Sequence, residues 1–104
     1  MSDHVANRSR GKERGRRWAH DRAQASECIR LLDAYRREGP GPVGLRMARP
    51  DRCLRMADDI DPTDADIWPT LSLEGWEAED RFWKAGFVDG AIEDCVEREE
   101  RPAT

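Results

Sequence analysis

The side chains that could carry chemistry are few: Cys28, Cys53, Cys95, His4, His20 and an acidic run from Asp58 to Asp66. A zinc site built from Cys28, Cys53, Cys95 and His20 lacks the close ligand pairs, such as Cys-x-x-Cys, that structural zinc sites use. The three cysteines instead fall on predicted apolar faces, where a free thiol behaves as a small buried apolar group. Their odd number, with no close pair, argues against a disulfide framework and for a reducing cytoplasm. Nucleophilic catalysis needs a Ser or Cys beside a positioned base, and no Gly-x-Ser-x-Gly turn or Cys–His pairing is present. The glycines of 39–44 alternate with prolines and precede no Lys-Ser/Thr, so they form no phosphate loop. The run Asp58-Asp59-Ile60-Asp61-Pro62-Thr63-Asp64-Ala65-Asp66 suggests calcium, but an EF-hand loop needs Gly at its sixth position and Glu at its twelfth. Counting from Asp59 these are Asp64 and Thr70; counting from Asp61 they are Asp66 and Ser72. The run reads as an exposed acidic turn that caps neighbouring helix ends. We therefore expect no catalytic residue, no metal and no cofactor. His4 and His20 should both be exposed.

The elements that would position these residues are helical. From Ser72 to Glu100, apolar residues recur at helical spacing on two faces. Phe82, Ala85, Val88, Ile92 and Val96 form one face, and Trp76, Trp83, Phe87 and Ala91 the other. Two apolar faces mean a helix packed on both sides, by its own chain or by a second copy. Ser72 is the expected cap, and Arg98, Arg101 and Pro102 mark the far end. Gly86 and Gly90, four apart, would make a notch for close approach of another backbone. That backbone is either a partner's or, as we favour, the chain's own first helix. Residues 14–38 read as that first helix, with Trp18, Ala25, Cys28, Leu32 and Tyr35 on its stripe and Ile29 broadening it. Arg22, Glu27 and Arg30 lie on the solvent face, and Gly39-Pro40 is the stop. A short helix over 51–59 carries Cys53, Leu54 and Ala57, with Ile60 beyond it. Asp61-Pro62 ends it, and Ile67-Trp68-Pro69 folds the following loop onto the core. Gly39–Gly44 is a loop, and Leu45–Met47 is at most a brief extended piece.

Charge divides the chain. Residues 1–50 hold twelve Arg or Lys against six Asp or Glu, and residues 51–104 hold six against sixteen, within an overall charge of −4. Residues 1–13 have no apolar period and read as a disordered basic arm, followed by one helical domain over 14–100 and a flexible 101–104. The arm's Arg8, Arg10, Lys12, Arg14, Arg16 and Arg17 could track phosphates. They could equally be charge partners for the acidic second half. No apolar run reaches membrane-spanning length, so no membrane is expected.

The expected fold is mostly α. It is a small helical domain with two long antiparallel helices, one short helix and an ordered connecting loop. It is more readily a homodimer than a monomer, because two helices alone bury little. Four Trp in so short a chain suit an interface as well as a core. The expected function is therefore a non-enzymatic protein-binding adaptor or inhibitor. It would engage another protein or a second copy through Trp76, Trp83, Gly86, Phe87 and Gly90, with nucleic-acid binding by the basic arm as the alternative. The acidic second half could also imitate a nucleic-acid backbone. Short, acidic chains without motifs resemble in style the small inhibitors of phages and mobile elements, anti-CRISPR proteins among them.

Overall fold

The computed structural model describes residues 4–38 and 52–100. The chain is mostly α-helical, as expected, with no strand among the described residues. Helix α1 spans His4–Asp21, α2 Ala25–Glu38, α3 Arg52–Asp59 and α4 Arg81–Glu100. Two single 3-10 turns, Leu71–Leu73 and Trp76–Ala78, precede α4. The central element is α4, which is packed by α1, α2 and α3. Its two apolar faces are thus covered within one chain: Ala85, Val88 and Ile92 are buried from one set, Phe87 and Ala91 from the other.

Three expectations are corrected. Residues 4–13 form the first half of α1 and are not a disordered arm. They lack a bulky stripe because α1 packs through small residues. A methyl group built on Gly11 would lie 1.9 Å from the Trp83 carbonyl oxygen, and one on Gly15 2.0 Å from that of Phe87. Reciprocally, one on Gly86 would lie 2.0 Å from the Arg8 carbonyl oxygen, and one on Gly90 2.1 Å from that of Lys12. Only hydrogen fits on either side of this seam. As residue number rises by four on α1 it rises by four on α4, so this helix pair runs parallel rather than antiparallel.

Second, the helix expected over 14–38 is broken at Arg22–Gln24. The Arg22 and Ala23 amides both donate to the Trp18 carbonyl, each at 2.8 Å, which closes α1. Glu27, placed on the solvent face by its polarity, is fully buried, while Ile29 is 58% exposed and Leu31 is buried in its stead.

Third, the helix expected from Ser72 begins only at Arg81. Gly75 takes a left-handed conformation, φ 64°, which breaks the helical path at no steric cost to glycine. Asp80 then accepts the Phe82 amide hydrogen bond, as an N-terminal cap does. Ser72, the expected cap, donates its hydroxyl to the Pro69 carbonyl at 3.2 Å.

The short α3 agrees with its period, and Trp68 closes onto the core at 8% exposure. Phe87 is the centre of the aromatic packing. Trp18, Trp76 and Trp83 surround it at ring-centroid distances of 5.6, 5.2 and 5.4 Å. Burying each such side chain contributes about 1.5–3 kcal/mol. The loop expected over 39–44, the extended piece at 45–47 and the flexible 101–104 lie outside the described residues.

Candidate functional site

The residues expected to bind a partner are largely taken up inside the chain. Trp76 and Phe87 are each 1% exposed, Gly86 and Gly90 face the α1 backbone, and only Trp83 is half-buried. The phosphate-binding candidates are committed in a similar way. Lys12 Nζ lies 3.1 Å from Glu93 and 3.8 Å from Asp89, and Arg16 reaches Glu93 at 2.6 Å and Glu97 at 3.3 Å. Arg14 bonds Glu74 at 2.9 Å, Arg17 lies 3.6 Å from Glu13, and Arg10 donates to Asn7. Arg8 lends its carbonyl to the seam with Gly86. Apart from Arg14–Glu74, whose acidic side chain is buried, these pairs are exposed and contribute little individually. The contacts of Lys12 and Arg16 with Asp89, Glu93 and Glu97 run as a ladder from α1 to α4, oppose the stacking of two parallel helix dipoles and fix the register of the pair. The Glu93 carboxylate draws the Lys12 ammonium pKa upward, chiefly through its hydrogen bond.

A second concentration of acids lies elsewhere, with Glu74 held by Arg14 and Asp58 by Arg81. Between Asp58 and Asp80 the sequence has nine carboxylates and no Lys or Arg. Among them, Asp61 accepts from the Thr63 amide and hydroxyl at 3.0 and 2.6 Å, and Asp64 accepts from the Asp66 amide at 3.1 Å and the Ile67 amide at 3.4 Å. These bonds tighten the turn and leave its charge facing outward. Beside the turn, Ala34, Met56, Ile60, Ile67 and Trp68 line a groove of about 300 Å³, with Asp59, Asp61 and Asp64 at its edge. Trp68 and Met56 are buried, while Ile67 is 37% exposed. The acidic character of this run was legible in the sequence. The groove was not, because it requires Ala34 of α2 to meet α3 and the 60–68 loop.

A second polar feature holds the loop in place. The buried Glu27 carboxylate accepts from the Gln24 amide (2.9 Å), the Thr70 amide (3.1 Å), the Thr70 hydroxyl (2.6 Å) and the Leu71 amide (3.0 Å). The Trp18 indole N–H donates to the same Thr70 hydroxyl at 2.9 Å. Glu27 is the third residue of α2 and reaches back to the residue before it, half of a capping box. Its other bonds tie α1, α2 and the segment leading to α4 together.

No family model, curated protein or solved structure matches this chain.

Proposed function

We propose that this protein is a small acidic binding module, an adaptor or inhibitor. It would seat a basic segment of another protein on the groove between α2, α3 and the 60–68 loop. The observation that carries this reading is the distribution of charge. Lys12, Arg14, Arg16 and Arg17 of α1 are matched by carboxylates of the same chain, while Asp59, Asp61 and Asp64 rim an apolar groove with no cation in the 58–80 sequence. An apolar anchor flanked by Lys or Arg fits such a site. The anchor would supply desolvated contact, and the aspartates steering and selectivity. Phosphate binding by α1 is the weaker reading, because it would compete with the bonds of Lys12, Arg14 and Arg16 to carboxylates.

The test is affinity capture from host lysate with the full chain and with two surface variants, Ile67→Asp and the triple change Asp59→Lys, Asp61→Lys, Asp64→Lys. Each capture is run with and without nuclease. We expect one protein retained after nuclease, lost with both variants, and released as salt rises. Capture that needs intact nucleic acid and survives both variants would overturn the groove and favour α1.

A further inference from the structure

Cys28 on α2 and Cys95 on α4 are both buried, and their sulfurs lie 2.7 Å apart. A disulfide bond is about 2.05 Å long. The separation is therefore only a fraction of an ångström longer than a covalent bond, between cysteines that lie on two helices and sixty-seven residues apart in sequence. Arg98, one turn beyond Cys95, places Nη1 3.3 Å from the Cys28 sulfur. The same nitrogen is held by the Ala19 and Ala23 carbonyls at 2.8 and 3.4 Å, so the charge is fixed rather than free to swing into solvent. The thiols are not sealed from outside. They line a cleft of about 410 Å³ between α2 and α4, with Ile29, Leu32, Arg36 and Arg98 around them.

We propose that Cys28 and Cys95 form a peroxide-reactive dithiol, in which Cys28 is the attacking sulfur and Cys95 the resolving one. In the first step the Cys28 thiolate attacks one oxygen of hydrogen peroxide. The O–O bond breaks, a sulfenic acid forms on Cys28, and the departing hydroxide takes up a proton to become water. In the second step the Cys95 sulfur attacks the sulfenic sulfur. The S–O bond breaks, the disulfide forms, and the hydroxyl leaves with the Cys95 proton as a second water. Two thiols and one peroxide thus give one disulfide and two waters, and a cellular dithiol reductant reverses the change by exchange.

The roles are unequal because the surroundings are unequal. The hydrogen bond from Cys95, and beyond it the Arg98 charge, hold the Cys28 thiol below its usual range against the opposing effect of burial and of the Asp94 and Glu27 carboxylates. That same hydrogen bond, and then burial, push the Cys95 thiol upward, so it keeps its proton until the sulfenic acid forms. Thiolate character and access decide which cysteine oxidises first. Cys53 is the internal control, since it is as buried as Cys28 at 7% exposure. The inference is independent of the proposed partner, and its test uses the purified chain alone.

The experiment titrates the full wild-type chain with hydrogen peroxide and maps it by intact mass and by peptide mass under denaturing, thiol-blocked conditions. We expect a Cys28–Cys95 cross-link with Cys53 still reduced, restored by a dithiol. In Cys95→Ser, a dimedone probe should label Cys28; in Cys28→Ser, Cys95 should stay unlabelled. Arg98→Gln should slow wild-type cross-linking roughly three- to tenfold, and Arg98→Lys should recover most of the rate. Oxidation of Cys53 at the same rate as Cys28, or the absence of a Cys28–Cys95 cross-link in the wild type, would overturn the proposal whether or not the variants fold.

Discussion

Glu27 shows how much one side chain can hold. Its two oxygens collect four donors from two segments, at a site with no exposed surface. Replacing Glu27 with Gln keeps the shape but turns one acceptor into a donor facing other donors. We expect a loss of about 2–3 kcal/mol, read as a lower urea midpoint with an unchanged slope. The sequence placed Glu27 with Arg22 and Arg30 because polarity usually means solvent. The signal that could have found it is local: a Glu in the first turn of a helix reaches back to the cap. That signal appears only once the helix is known to start at Ala25. The chemistry of single residues was legible where it depended on burial alone. All three cysteines are buried, as their apolar faces predicted, and His20 is exposed. What could not be read was which thiols meet, since Cys28 and Cys95 lie on helices whose pairing no local pattern reveals. His4 is exposed and yet stacks on Phe82, with ring centroids 3.9 Å apart.

At the scale of elements, the seam between α1 and α4 sets the architecture. Gly86→Ala would drive a methyl group against the Arg8 carbonyl, and Gly15→Ala would do the same at Phe87. Backbone, unlike a rotamer, cannot step aside. Each substitution should cost about 3 kcal/mol or more, despite the gain in helix propensity that alanine brings. Gly75 has nothing within 4 Å of a built methyl, so Gly75→Ala should suffer only the left-handed backbone penalty, about 1–2 kcal/mol. Thermal melts of the three variants would rank them; a Gly86→Ala protein as stable as the wild type would mean the helices are further apart. The apolar period identified α3 and the two-faced character of α4 correctly. It failed for residues 4–13 because a glycine seam has no apolar period to detect. The repeated spacing of Gly11 and Gly15 against Gly86 and Gly90 was the available clue. α4 starts at Arg81 and not at Ser72 because Gly75 and Asp80 are strong punctuation that an apolar period does not register.

At the scale of the whole molecule, charge is arranged to hold the folded state near neutral pH. Arg81 grips Asp58 with contacts of 2.6 to 3.1 Å, joining α3 to α4. That hydrogen-bonded guanidinium holds the Asp58 carboxyl below its usual range, and the Thr63 hydroxyl does the same for Asp61. A depressed acid stabilises the fold above its unfolded pKa, and the contribution disappears as pH falls through the folded value. Stability should therefore decline as pH falls below about 4. Asp58→Asn should flatten that limb in melting temperature against pH. The raised ammonium of Lys12 acts with the opposite sign: its contribution is lost only as pH climbs above about 10.4. The parallel seam also has a consequence for the order of synthesis. Gly11 and Gly15 emerge well before Gly86 and Gly90, and at roughly 5–20 residues per second the wait is several seconds or more. Until then α1 is a highly charged segment with no ladder and two interior glycines, and it has no packing partner to hold it helical. Its order waits on translation of the last twenty residues described, so a nascent chain stalled before Arg81 would leave its N-terminal segment open to proteases.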